Sequence, residues 1–182
     1  MSGIITDNLG RASGLVKAVA AGGNILQVKT TTKTASYATA TTSNTWYDPS
    51  LSVAITPTLS TSEILVLVTA TGGGQHNLLF RTRLVQTISG GSAAYPIIGD
   101  AATSNIRAST AERAQNYNDM HCAVISYLDD PDTTSEIEYK IEISTDGAAI
   151  AINRPASTDV TDAKNSVTAS TITAIEIATG IL

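Results

Sequence analysis

From about residue 25 onward, the hydrophobic residues follow a period of two and not the 3.6-residue period of a helix. In the clearest example, Ile137, Tyr139, Ile141 and Ile143 alternate with Glu136, Glu138, Lys140 and Glu142. Because successive side chains of a strand point to opposite faces, this segment predicts a half-buried antiparallel strand with a charged solvent face.

Other segments predict further strands. Leu51, Val53 and Ile55 alternate with smaller or polar residues. The continuous apolar run 64–68 predicts a strand buried on both faces. Residues 78–87 predict a strand in which Arg81 and Arg83 share the parity of apolar residues. Segments 123–128, 148–152 and 167–177 complete the set.

Turn-forming residues separate these strands. They lie at 57–62, 72–74, 89–92, 129–134, 146–147 and 154–165. Asp146-Gly147 between two strands predicts a hairpin, and 110–113 predicts either a helical turn or a loop. Strands joined by turns without intervening helices predict an all-β fold, an antiparallel jelly-roll-like β-sandwich over residues 25–182.

Composition limits the partners. The chain has 182 residues, 11 Lys and Arg against 16 Asp and Glu, and a net charge of −5. A nucleic-acid-binding protein normally carries a basic stripe, so no nucleic acid partner is expected. No apolar run is long enough to span a bilayer, so no membrane insertion is expected either. Thr and Ser supply roughly a quarter of the residues.

The first 24 residues lack this alternation and cannot bury a core alone. They are predicted to form an extended N-terminal arm that anchors the domain to another protein. The anchoring residues are predicted to be Ile4, Ile5, Leu9, Arg11, Leu15 and Val16. An arm of this kind is ordered when it docks on a partner.

Side chains capable of chemistry do not form a recognisable motif. His76 follows a glycine triplet and is predicted to be a polar turn residue. His121 and Cys122 point to opposite faces of a strand and cannot bind one ion together, and Cys122 is predicted to be a buried thiol. We therefore predict no catalytic residue, no cofactor and no metal, with calcium at Asp129–Asp132 left open.

A nearly uncharged, Thr-rich stretch covers residues 30–45 and ends at Trp46-Tyr47. It predicts either a strand pair that faces carbohydrate or another subunit, or a solvated edge where Thr fits the pleat. Trp46 and Tyr47 are candidates for contact with a glycan or an interface.

Separated blocks along the chain resemble small virion proteins of tailed bacteriophages, especially marine and cyanobacterial ones. The blocks are residues 2–18, 22–28, 51–57, 60–68, 127–131, 133–140, 153–154 and 172–177. No resemblance covers 92–120. The resemblance implies a non-enzymatic virion component with a jelly-roll sandwich similar to the tumour-necrosis-factor and complement globular-head domains, which usually trimerise.

Three functions follow for comparison. The first is a homotrimeric protein located in the virion, which decorates or reinforces the head as a fibre or cement protein and meets capsid or tail proteins through its arm. The second is a tail-fibre component or receptor-binding tip that contacts a host surface glycan. The third, a small β-fold glycan hydrolase, has no motif in its favour.

Overall fold

The computed structural model describes residues 25–40, 43–157 and 165–178. Within these ranges the chain forms strands and no helix. The strands are β1 (Ile25–Lys33), β2 (Tyr37–Ala40), β3 (Trp46–Tyr47), β4 (Ser52–Ile55), β5 (Glu63–Gly74), β6 (Leu79–Ile88), β7 (Thr110–Arg113), β8 (His121–Asp129), β9 (Ile137–Ser144), β10 (Ala149–Ile152) and β11 (Ser170–Ile177).

The strands form two antiparallel sheets around one core. The first sheet has the order β1-β11-β5-β8, and the short strands β10 and β2 continue it beside the C-terminal end of β5. In the second sheet, β3 and β4 both pair with β9, followed by β6 and β7.

The pairing of the eight main strands is that of a jelly roll. If the short strands β2, β3 and β10 are set aside, the first strand pairs with the eighth, the second with the seventh, the third with the sixth and the fourth with the fifth. These pairs are β1–β11, β4–β9, β5–β8 and β6–β7. The predicted all-β, antiparallel jelly-roll-like sandwich is therefore confirmed, whereas the predicted arm 1–24 lies outside the described residues.

The core lies between the two sheets and is supplied by alternate positions of their strands. Ile137, Tyr139, Ile141 and Ile143 of β9 are fully buried, as the alternation predicts. Ile64, Val66 and Val68 of β5 meet them from the first sheet. Full burial of side chains of this size contributes about 1.5–3 kcal/mol each, so period-two burial is the main stabilisation of the fold.

Strand β5 differs from its prediction on one face. The apolar run 64–68 was expected to be buried on both sides, but only Ile64, Val66 and Val68 face the core. Leu65 is half-buried, and the side chain of Leu67 is 39% exposed. The prediction of two-sided burial is wrong for the described chain, which places these leucines on the outer face of the first sheet.

The glycine triplet at 72–74 ends β5 and does not form the predicted turn. All three residues pair with β10. A Cβ atom on Gly72 would overlap the Phe80 ring and the Ala151 carbonyl oxygen. The absent side chain lets the two sheets and the neighbouring strand approach one another closely.

Asp146-Gly147 connects the two sheets and is not the predicted hairpin. The preceding strand β9 belongs to the second sheet and the following strand β10 to the first. The Asp146 carboxylate accepts a hydrogen bond from the Leu79 amide at 2.7 Å, so it ties the crossover to the start of β6. The turn residues are identified correctly, but the strands that they join do not pair.

Two further predictions are wrong. Residues 110–113 form the strand β7 and neither a helical turn nor a loop, because they pair with β6 at the edge of the second sheet. Cys122 is exposed and not buried. Its parity in β8 places it on the outer side, since the buried residues of that strand are Ala123, Ile125 and Asp129.

Candidate functional site on the outer faces of the sheets

The adjacent residues Trp46 and Tyr47 lie on opposite sides of β3. Tyr47 pairs with Ile143, whose side chain is buried, and packs against the core. Trp46 pairs with Ser144 on the outer side of the second sheet. The two candidates for glycan or interface contact therefore do not form one platform, and their role stays a prediction.

On this outer side, Arg83 is held between two aromatic rings. Its guanidinium carbon lies 4.3 Å from the centre of the Trp46 ring and 4.1 Å from the centre of the Tyr95 ring. These are cation–π distances. The Arg83 Nε atom also donates to Glu142 at 2.8 Å, and both charged side chains are largely shielded from water.

This stack, Trp46–Arg83–Tyr95 with Glu142, accounts for the irregular parity of β6. Arg83 pairs with Glu142 across the sheet, so the arginine belongs to the outer face, where its Nε and one terminal nitrogen both donate to Glu142. The part of the stack that is open to solvent is Tyr95, which is 38% exposed next to the Arg83–Glu142 ion pair. An aromatic ring with a polar hydroxyl suits a contact that is apolar at one end and wet at the other.

The sequence did not predict Arg83, Tyr95 or Glu142 as parts of this stack. The one signal in the sequence was that Arg83 falls on the same face of the predicted strand as apolar residues. An arginine on such a face needs a partner other than water. Its partners come from two distant strands, β3 and β9, and from the segment after β6. Only the register between strands brings them together.

The outer face of the first sheet has a different chemistry. The outward residues of its four main strands lie in rows that cross the sheet. One row is Val28, Ile175, Leu65 and Leu128, flanked by Ile25, Leu67 and Val124. We call these seven residues the apolar face. Val28 is 55% exposed, Val124 64% and Leu128 49%, so large apolar side chains of this face are open to solvent.

Threonines occupy most of the other outward positions of these four strands: Thr30, Thr32, Thr69, Thr71, Thr171 and Thr173. Among the outward positions of β1, β5, β8 and β11, the charged residue is Glu63 at the rim. Thr30 and Thr173 are hydrogen-bonded to each other across the strands. The Thr-rich segment of β1 is therefore an edge strand continuous with an uncharged sheet surface.

A buried carboxylate connects the two sheets at the end of β8. Asp129 accepts hydrogen bonds from the Tyr139 hydroxyl at 2.5 Å, the side-chain amide of Gln86 at 2.5 Å and the Tyr127 hydroxyl at 3.0 Å. Burial, together with the nearby Asp129 carboxylate, raises the pKa of Tyr127 to about 12. The same two causes raise the pKa of Tyr139 further above its usual range.

A second buried carboxylate anchors the loop after β4. Glu176 of β11 accepts hydrogen bonds from the Thr58 amide at 2.6 Å, the Thr58 hydroxyl at 2.9 Å and the Gln27 side chain at 2.6 Å. Burial opposes ionisation of Glu176, but these donors outweigh it and hold its pKa below the usual value. Glu176 is thus an ionised tie between β11, β1 and the loop.

Asn153 closes the opposite end of the first sheet. It is fully buried and adopts a φ of 61°, a left-handed conformation that Asn tolerates better than most residues. Its side-chain amide donates to the carbonyl oxygen of Lys33 at 2.7 Å and accepts from the Ser170 hydroxyl at 2.6 Å. One side chain therefore joins the end of β1 to the start of β11.

The remaining polar candidates are dispersed. His76 lies in a turn and stacks on Tyr117, and His121 is hydrogen-bonded to Glu112 at 2.7 Å. Asp129 faces the interior whereas Asp130 and Asp132 are exposed. Within the described ranges, no three His, Cys, Asp or Glu side chains are grouped closely enough to hold a metal ion.

The predicted anchoring residues Ile4, Ile5, Leu9, Arg11, Leu15 and Val16 lie outside the described residues. In the part of the chain that the structure describes, there is no helix with the length and hydrophobicity of a membrane span.

Comparison with solved structures finds viral proteins. The VP2 subviral particle of infectious bursal disease virus matches with a TM-score of 0.42 and 10% identity, covering 84% of this chain and 42% of that chain. The structure of the Gx strain of the same virus matches with a TM-score of 0.39 and 16% identity over 85% and 37%. The chain spans about two fifths of the length of these proteins.

No protein-family model matches the chain. No curated protein matches it either. The jelly-roll assignment rests on the strand pairing itself.

Proposed function

We propose that the chain is a non-enzymatic structural protein of a virion. More specifically, it is a homotrimeric surface or head-decoration protein of a tailed phage, a fibre or cement protein anchored to capsid or tail proteins by residues 1–24. The resemblance of its sequence blocks to small phage virion proteins supports the phage and the arm. The jelly roll supports a structural role, because it is a common architecture of viral coat domains.

The observation that carries the proposal is how the buried polar groups are used. Jelly rolls also serve as lectins and as metal-dependent cupins, so the fold alone does not choose among these functions. Here Asp129, Glu176 and Asn153 are saturated by donors and acceptors from neighbouring strands and loops. They stabilise a rigid block and are not arranged around an open cavity.

A second candidate is a receptor-binding tip that contacts a host surface glycan. It is favoured by the Trp46–Arg83–Tyr95 stack, whose Tyr95 ring is partly exposed on the outer side of the second sheet. Trp46 is the single tryptophan of the chain, so its fluorescence reports directly on ligands at this place. A saturable change on adding a glycan would favour this function.

Incorporation into particles separates the two candidates. The full chain, a variant lacking residues 2–24 and the variant Trp46→Ala are each produced during infection by a phage that lacks the native gene, and purified particles are labelled with an antibody against the domain. We expect the antibody to label particles made with the full chain or with Trp46→Ala. We expect particles made with the truncated chain to carry no label. Circular dichroism of the truncated protein verifies that its sandwich still folds.

Other outcomes decide against parts of the proposal. Particles of the native phage that carry no label exclude a virion structural protein. A truncated chain that incorporates normally excludes the arm as the anchor. If Trp46→Ala particles are complete but no longer adsorb to cells, the receptor-binding function replaces decoration.

A further inference from the structure

The apolar face is a contiguous group of large hydrophobic side chains that lie outside the core of the sandwich and are exposed to water. Val124 and Leu128 of β8 and Val28 of β1 are each about half exposed or more, and they line up with Leu65 and Ile175 in one continuous surface. Isolated exposed apolar residues are ordinary, but a contiguous patch of this kind marks an interaction site.

From this surface we infer that the apolar face, with the threonines beside it, binds a second copy of this chain. The inference deepens the proposed function, since it names the surface through which subunits of the assembly meet. It also stands apart from that function, because self-association can be measured without any particle.

The charge pattern favours a copy of the same chain over a different partner. A basic or acidic partner would need opposite charges to pair with, and the outward positions of the four main strands carry a charged residue only at the rim, Glu63. An uncharged surface of β-branched and leucine side chains meets no repulsion when it packs against itself. Such packing resembles the inner faces of a sandwich, which stack about 10 Å apart.

The size of the face is sufficient for a specific contact. Four strands about 4.8 Å apart, each with about eight residues rising about 3.3 Å, cover roughly 19 Å by 26 Å, or about 500 Å² per copy. Two such faces contribute about 1,000 Å², which is the lower bound for a specific protein interface.

The edge of the sheet points to the same occupant. Among the described strands, β8 pairs only with β5, and the segment 122–128 contains no charged residue and no proline. A long edge strand of this kind is normally protected by charges or covered. A second copy seated on the adjacent face buries Val124 and Leu128, the large apolar side chains that this edge strand exposes.

The test places one charge on this face. Val124→Lys and Leu128→Lys are compared with Ala54→Lys, which puts the same residue at an exposed strand position on the other sheet. The mass of each full-length protein is measured by light scattering over a concentration series. We expect the unaltered chain to associate, both charged variants to bind themselves at least about 100-fold more weakly, and Ala54→Lys to change association by less than about two-fold.

A measurement on the unaltered chain avoids any effect of mutation on folding. Cys122 is the single cysteine and lies on the same outward side of β8 as Val124. Its reaction with a maleimide should be slow in the associated protein and should become fast on dilution, with the same loss of protection in Val124→Lys.

The outcomes are separable. A trimer or a dimer that dissociates in Val124→Lys and Leu128→Lys supports the inference, and a dimer contradicts only the trimer of the proposed function. A chain that stays monomeric at every concentration overturns it. An oligomer whose mass is unchanged by both charged variants also overturns it. If such an oligomer is lost only when residues 2–24 are deleted, the arm and not the apolar face is the contact.

Discussion

At the scale of single residues, two buried carboxylates that each accept several hydrogen bonds contribute to stability. Asp129 takes donors from β6, β8 and β9, whereas Glu176 takes donors from β1 and from the loop after β4. When a buried carboxylate loses a donor, the free-energy cost of removing it from water is no longer offset by that hydrogen bond. The interior of this sandwich is therefore sensitive to changes that a purely apolar core would tolerate.

Glu176 makes stability depend on acid pH. Since its folded pKa lies below its ordinary value of 4.5, its contribution is present above pH 4.5 and is lost as the pH falls through the folded pKa. We expect Glu176→Gln to lower the free energy of unfolding by about 1–3 kcal/mol at pH 7 and to flatten its acid dependence. Urea unfolding at several pH values measures both; an equally steep acid dependence in the variant contradicts this role.

The tyrosines at Asp129 act at the other end of the pH scale. Their folded pKa values are raised, so the stability that they contribute is present below the unfolded value of 10 and is lost as the pH rises beyond it. Absorbance titration should show Tyr127 ionising near pH 12. Tyr139 should ionise only with unfolding.

Removing one hydroxyl tests the Asp129 network without changing its shape. Tyr139→Phe should cost about 1–3 kcal/mol, because it leaves a buried carboxylate with one donor fewer. Tyr127→Phe is the matched control. It should lower the free energy of unfolding by less, because the Tyr127 hydroxyl makes a longer hydrogen bond to Asp129 and Tyr127 is less buried. Equal losses of thermal stability in the two variants would contradict the expectation that the more buried Tyr139 hydroxyl contributes more to stability than the Tyr127 hydroxyl.

At the scale of strands, close approach of backbones explains what the residue pattern alone does not. The C-terminal end of β5 has no side chains because β10 and the Phe80 ring occupy their space. The Trp46–Arg83–Tyr95 stack likewise exists because β3, β6 and β9 have one particular register. Both features come from pairing between distant segments.

Alanine substitution at two glycines distinguishes the effect of a steric clash on stability from the effect of glycine's backbone flexibility. Gly72→Ala places a Cβ against the Phe80 ring and should destabilise the fold by about 1–3 kcal/mol. Gly99→Ala has no atom within 4 Å of the added Cβ and should stay within about 0.5 kcal/mol of the unaltered chain. Denaturant unfolding of the pair checks this, and a tolerant Gly72 would mean that the sheets can separate locally.

Much of the element content could be predicted from the sequence because strand burial is a local property. The alternation in β9 and around Leu51, Val53 and Ile55 specified which side chains are buried. Sheet membership could not be predicted in the same way, since it depends on contacts between distant strands. The Asp146-Gly147 turn and the strand at 110–113 were misassigned for this reason. Cys122 was misassigned because free cysteines are usually buried, whereas its position in β8 turns it outward.

At the scale of the whole molecule, the two sheets expose different surfaces. The second carries ion pairs and aromatic rings, including Lys140–Asp48 at 2.8 Å and the Arg83 stack. The first carries the apolar face and its threonines. This asymmetry suits a subunit that turns one side toward its copies and the other toward solvent or a ligand.

We propose that this chain is a structural component of a virion, and imaging of whole particles is the decisive experiment. Particles are purified from cells that produce the virus carrying this gene and are reconstructed by cryo-electron microscopy. We expect a jelly-roll domain at regularly repeated positions, with the apolar face packed against a neighbouring copy. Particles whose reconstructed head and tail contain no such domain, while the protein remains free in the lysate, would contradict it.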